Sequence, residues 1–145
     1  MFRDWSAYAF IVMKGRGSRE PEILSIQNQA KHSQIDLRLP GGRKQDGDAH
    51  SVDTLIRTVY AETGLRIKPH QVRRIKLPNK GKTDEKSYRL RFYLMRITAE
   101  QFLDRDDVHP DSELIFIPVS RAVSMQKHFE PHGELVLLSG LVRNV

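Results

Sequence analysis

The chain has 145 residues, 39% hydrophobic and 29% charged, with a mean hydropathy of -0.52. That is the size and makeup of one folded domain, and no apolar run nears the ~20 residues of a membrane-spanning helix. Cysteine is absent, which excludes a disulfide scaffold, a thiolate zinc site and a cysteine nucleophile.

The net charge of +6 is unevenly spread. Residues 1–65 hold 9 basic and 8 acidic groups, residues 66–96 hold 11 and 2, and residues 97–145 hold 4 and 8. The middle block suggests an anionic partner. Its plain alternative is a solvated strand face with lysines guarding a sheet edge. Met1 to Trp5 lacks the charged-then-apolar pattern of a signal peptide, so a cytoplasmic location is expected.

In chain order, Ser6 to Met13 reads as a strand, Lys14 to Ser18 as a turn, and Glu22 to Gln27 as the returning strand of a hairpin. Ile35 to Leu39 alternates apolar and polar residues and stops at Pro40, Gly41 and Gly42. Val52, Leu55, Ile56 and Val59 recur at helical spacing, with Ser51 as N-cap and Gly64 as the stop. Val72 to Leu77 and Ser87 to Ile97 read as strands. On the second, Arg89 and Arg91 share one face, and Leu90, Phe92 and Leu94 the other. Tyr88, Phe92 and Tyr93 could stack a base, although aromatics on a strand are more often core. Asp104 to Ser112 is a loop holding four aspartates. Leu114 to Val119 reads as a short strand, Pro118 to Met125 as a brief helix, and Glu134 to Val142 as a last helix. The irregular alternation predicts a mixed sheet covered by helices, in a single domain over 1–145.

The segment from Leu39 to Leu65 resembles the signature of the Nudix family. That signature runs Gly, five residues, Glu, seven residues, then Arg-Glu-apolar-any-Glu-Glu-any-Gly-apolar. Gly42, Arg57, Val59, Glu62, Gly64 and Leu65 match it, and the preceding Leu-Pro-Gly-Gly of residues 39–42 is typical of it. Glu113 to Val119 resembles the strand-to-helix region near the family's C-terminus. The resemblance implies an α/β fold, a Nudix-like α/β/α sandwich with a mixed sheet flanked by helices. It also implies hydrolysis of a nucleoside diphosphate linked to another moiety, with Mg2+ or Mn2+.

The departures fall on the chemistry. Asp48 stands at the first glutamate, with one extra residue before Arg57, while Thr58 and Ala61 replace two of the three helix glutamates. Residues three and four apart on a helix are neighbours, so glutamates at 58, 61 and 62 would form one oxygen cluster. Magnesium takes about six oxygens from carboxylates, waters and phosphates, and neither threonine nor alanine replaces a carboxylate. The catalytic candidates are therefore Glu62, Asp48 and Glu113, and the candidate metal ligands are Glu62 and the Gly42 carbonyl. Gly41, Gly42, Arg57 and Gly64 are expected to be structural, and Arg43, Lys44, Arg89 and Arg91 to meet phosphate. The histidines show no metal-ligand spacing on a helix.

Two functions follow. One is a divergent hydrolase acting on the phosphoanhydride of a nucleoside diphosphate derivative. The other is a catalytically silent module binding a nucleotide, or RNA or single-stranded DNA through residues 66–96. No membrane role is expected.

Overall fold

The computed structural model describes residues 4–14, 20–28, 36–75, 88–108, 113–124 and 129–130. The β-rich runs of the sequence form β1 (Asp4–Met13), β2 (Glu22–Asn28), β3 (Asp36–Arg38), β4 (Gly41–Arg43), β5 (Arg73–Ile75), β6 (Tyr88–Ile97), β7 (Glu113–Pro118) and β8 (Phe129–Glu130). Among the described residues they make one mixed sheet in the order β5-β6-β1-β2-β3-β8, with β4 also on β1 and β7 on β2. Its spine is the parallel pair β1 and β6, in register from Asp4↔Tyr88 to Met13↔Ile97.

The other edge of β1 is shared. β2 pairs with it at Val12 and Met13, as the hairpin reading expects, and β4 pairs with Ser6, Ala7 and Tyr8. β3 lies instead on β2, with Ile26↔Arg38 and Gln27↔Leu37. Residues 36–43 thus cross from β2 to β1. The strand ends before Pro40, as the sequence reading has it, but Gly41 and Gly42 open a further strand on a new partner, which that reading missed. Gly41 makes the crossing possible: its φ is +148°, and a Cβ there would overlap the Ala7 carbonyl and the Tyr8 ring.

The helix α1 (Ser51–Thr63) forms where the apolar periodicity places it and ends at Gly64, in a left-handed conformation with φ 80°. Its cap is His50, not Ser51: the Asp53 carboxylate accepts the His50 N–H at 2.9 Å. A short helix, α2 (Ala99–Leu103), lies between the expected strand and the acidic loop, at residues to which the sequence reading assigned no element. Its signal is local, since Thr98 and Gln101 form a reciprocal capping box with bonds of 3.0 and 2.8 Å. The brief helix after β7 is α3 (Val119–Ser124). The turn at 15–18, the expected strand residues 76–77 and 87, and the helix at 134–142 lie outside the described residues. β8 was not anticipated.

The sheet has two buried faces. Phe10, Val12, Ile23, Leu37, Phe92, Leu94 and Ile117 fill one. Ala7, Ala9, Ile11, Leu24, Tyr93, Met95 and Ile97 line the other, against Leu55 and Val59 of α1. The period of two on β1 explains the asymmetry, because small Ala7 and Ala9 let the helix approach while Phe10 and Val12 bulk out the opposite side. Phe92 and Tyr93 are 4% and 6% exposed, core as expected. Among the described residues no helix is long and apolar enough to cross a membrane.

Candidate functional site

The loop from β4 into α1 is held by one chain of hydrogen bonds. Trp5 Nε1 donates to Thr54 Oγ1 at 2.8 Å, and Thr54 Oγ1 donates to Asp48 Oδ2 at 2.8 Å. Arg57 donates through Nη2 to Asp48 Oδ2 at 2.7 Å, through Nε to Oδ1 at 3.3 Å, and to the Arg43 carbonyl at 3.1 Å. The Gln45 N–H adds a bond of 3.0 Å. Hydrogen bonding to Arg57, opposed by desolvation, lowers the Asp48 pKa to about 2. Four hydrogen bonds thus converge on a carboxylate that is 9% exposed, three of them on Oδ2 and one on Oδ1. Asp48 and Arg57 act here as a bracket for the loop.

Glu62 points the other way, towards β3 and β4. Its Oε1 accepts the Gly41 N–H at 2.9 Å, and its Oε2 is ion-paired with Arg38. Both side chains keep part of their surface in water, 22% for Glu62 and 25% for Arg38. Thr58 spends its hydroxyl on the helix, donating to the Thr54 carbonyl at 2.8 Å, and packs its methyl beneath Gly42. Ala61 is exposed and carries no donor atom.

This donor set does not fit the multi-carboxylate metal centre that the resemblance implies. Of the expected ligands, one carboxylate remains, and a backbone N–H and a guanidinium already hold its oxygens. Among the described residues no group of three or more His, Asp or Glu could hold an ion.

Among the described residues no hydrogen bond or ion pair joins Glu113 to Glu62. Glu113 pairs with Gln27, on the opposite pleat from Ile26, which pairs with Leu114 on one side and Arg38 on the other. It lines a cavity of about 340 Å³ with Thr63, Phe102, Arg105, Asp106 and Asp107. There Asp106 ties the acidic loop to the end of α1. It accepts from Tyr60 Oη at 2.7 Å and Arg66 Nη2 at 2.6 Å, and its own N–H donates to the Gly64 carbonyl at 3.0 Å. The hydrogen bond between Tyr60 and Asp106 raises the tyrosine pKa and lowers that of the aspartate.

The basic residues sort by pleat. Arg74 pairs with Tyr93, Arg91 with Ala7 and Arg89 with Trp5, so all three arginines share the sheet face that carries α1. Lys44 adjoins them, its Nζ 5.4 Å from the centre of the Trp5 ring. Partial burial, then the charges of Arg74 and Arg89, lower the pKa of Arg91. Among the described residues none of the three arginines has an acidic partner. The shared face of Arg89 and Arg91 is as the alternation predicts. Arg74 was missed, because a three-residue strand shows its pleat only through its partner. Arg43 pairs with Ser6, on the pleat opposite Trp5, and its side chain is exposed.

No protein-family model and no curated protein matches the sequence. Solved structures do match. A MutT/nudix family protein from Enterococcus faecalis superposes with a TM-score of 0.59 at 15% identity, over 80% of this chain and 44% of that one. The T. brucei MERS1–RNA complex gives 0.64 at 15% identity, over 99% and 63%. A C. elegans Ap4A hydrolase binary complex gives 0.63 at 17% identity, over 97% and 98%. The chain thus spans less than two thirds of the first two proteins and nearly all of the third. At these identities the likeness is one of fold. The chain has the Nudix fold, a mixed sheet flanked by helices.

Proposed function

We propose that this chain is a nucleotide-binding module on the Nudix fold, with Arg74, Arg89, Arg91 and Lys44 receiving the ligand's phosphates. The observation that supports it is the arginine row. Three guanidinium groups on one pleat, without an acidic partner among the described residues, repel one another, and an anion relieves that repulsion. The ligand class is a phosphate chain bearing bases, the chemistry shared by the substrate that names an Ap4A hydrolase and by the RNA of an RNA complex among the structures of similar fold. RNA or single-stranded DNA is the finer reading, because the three arginines fall within the basic block of 66–96.

Hydrolysis at Glu62, helped by Asp48 or Glu113, has less support. Arg57 holds Asp48, Glu113 sits on another pleat, and Arg38 holds Glu62. Titration calorimetry with ADP and with a short single-stranded RNA tests the proposal. Binding that weakens by about tenfold or more in the Arg89→Ala, Arg91→Ala double variant supports it. A screen of nucleoside diphosphate derivatives with Mg2+ and Mn2+ tests the alternative: turnover that Glu62→Gln abolishes would restore the hydrolase reading.

A further inference from the structure

We propose that Arg38 is the resident cation of the α1 carboxylate, standing where the resembled family places a divalent ion, and that ligand binding by this chain is consequently independent of divalent metal. The second half rests on the nucleotide-binding reading; the first does not.

The argument begins with the backbone. Ile26↔Arg38 pairing puts Arg38 on the same pleat as Ile26, towards the face that carries α1. The crossing of residues 36–43 then brings Gly41 against Tyr8, where its N–H meets Glu62 Oε1 at 2.9 Å. Glu62 is thereby held by Gly41 on one oxygen and by the Arg38 guanidinium on the other. A guanidinium is a planar cation that stays charged and matches the fork of a carboxylate. It is also tethered, so it faces the carboxylate at a high effective concentration. Magnesium, by contrast, sheds water reluctantly and needs several oxygens. Thr58 and Ala61 supply no carboxylate.

The charges at this point of the fold are therefore balanced, with one carboxylate left on the helix and one arginine against it. Three carboxylates call for multivalent cations, whereas one is neutralised by one arginine. Arg38 here is a positioning and charge-neutralising residue, and no reaction step is assigned to it.

The test is Mn2+ binding, read by water-proton relaxation with the metal alone, in a background that restores the lost carboxylates. With Thr58→Glu and Ala61→Glu in place, removing Arg38 by Arg38→Ala, and separately by Arg38→Met to keep the side-chain packing, is expected to tighten Mn2+ binding by about tenfold or more. Arg38→Lys in the same background is expected to stay close to the variant that keeps Arg38. Equal Mn2+ affinity with Arg38 and with either Arg38→Ala or Arg38→Met in that background would overturn the inference, as would tight Mn2+ binding by the unmodified protein that Glu62→Gln removes. A second measurement separates this inference from the reading beneath it. Single-stranded RNA is titrated into the unmodified protein in EDTA and in Mg2+, with equal affinity expected. Binding only in Mg2+ would overturn the metal independence and leave the nucleotide-binding reading standing. No binding in either would overturn the reading, and the Mn2+ result alone would then judge Arg38.

Discussion

Arg57 reaches Asp48 through hydrogen bonds of 2.7 and 3.3 Å, although the aspartate is one methylene shorter than glutamate and one residue further away in sequence than the Nudix spacing. The loop absorbs both changes, with Gly47 at φ +98° and the Gln45 N–H closing on the same carboxylate.

This pair sets an expected acid limb. The folded Asp48 pKa is about 2 against an ordinary 3.8, so its stabilisation is complete above pH ~4 and is lost as pH falls towards 2. The shift corresponds to about 2 kcal/mol. Asp48→Asn is expected to cost a similar amount at neutral pH and to flatten the loss of stability between pH ~4 and ~2. Urea unfolding followed across that range checks it, and an unchanged acid limb would show that Asp48 is not the group responsible.

Two glycines with positive φ are expected to differ in cost. At Gly64 a Cβ would overlap the Asp106 carbonyl, whereas at Gly47 nothing lies within 4 Å. Gly47→Ala should cost only backbone strain, about 1–2 kcal/mol, while Gly64→Ala adds the collision and exceeds it. Chemical denaturation of the two variants side by side gives the ranking. A reversed order would show that the acidic loop yields without cost.

The tie between α1 and the acidic loop should be visible in hydrogen exchange. Removing both side-chain donors to Asp106, by Tyr60→Phe with Arg66→Ala, leaves only the backbone bond to Gly64. Exchange at the Asp106 amide is expected to speed up while amides in β1 and β6 keep their protection. Unchanged exchange would mean that the backbone bond alone holds the loop.

The arginine row should appear in the salt dependence of binding to single-stranded RNA. Arg74→Ala, Arg89→Ala and Arg91→Ala each leave one phosphate of the strand without its cation. Every such substitution is expected to flatten the slope of log affinity against log salt by about 0.7. Fluorescence anisotropy across ~0.05–0.2 M salt measures it. Binding absent even at low salt would leave the row as a solubilising face.

Residues whose signals are local were legible without the structure. α1 announces itself by its apolar period and by Gly64, and β1, β2 and β6 by β-branched and aromatic runs, because these patterns report the burial of one face of one element. The capping box of α2 is equally local, yet five residues are too few to show an apolar period beside it. β4 was hidden for a physical reason: a glycine pair reads as a break, and only the Ala7 and Tyr8 backbone beside it makes it a strand.

For the site, what is missing could be read directly, since the loss of carboxylates at Thr58 and Ala61 is a matter of residue type. So could the nearness of Asp48 and Arg57, one just before the helix and one on it. What Glu62 faces depends on the packing of distant strands. Arg38 meets it because strand pairing through Ile26 sets the pleat of β3, and the crossing at Gly41 sets where β3 ends relative to α1. The same kind of long-range register turned Glu113 to another pleat and brought Arg74 into line with Arg89 and Arg91. A slip of one residue in any of these pairings would reverse the facing that it sets, and nothing local to Arg38, Glu113 or Arg74 encodes the register.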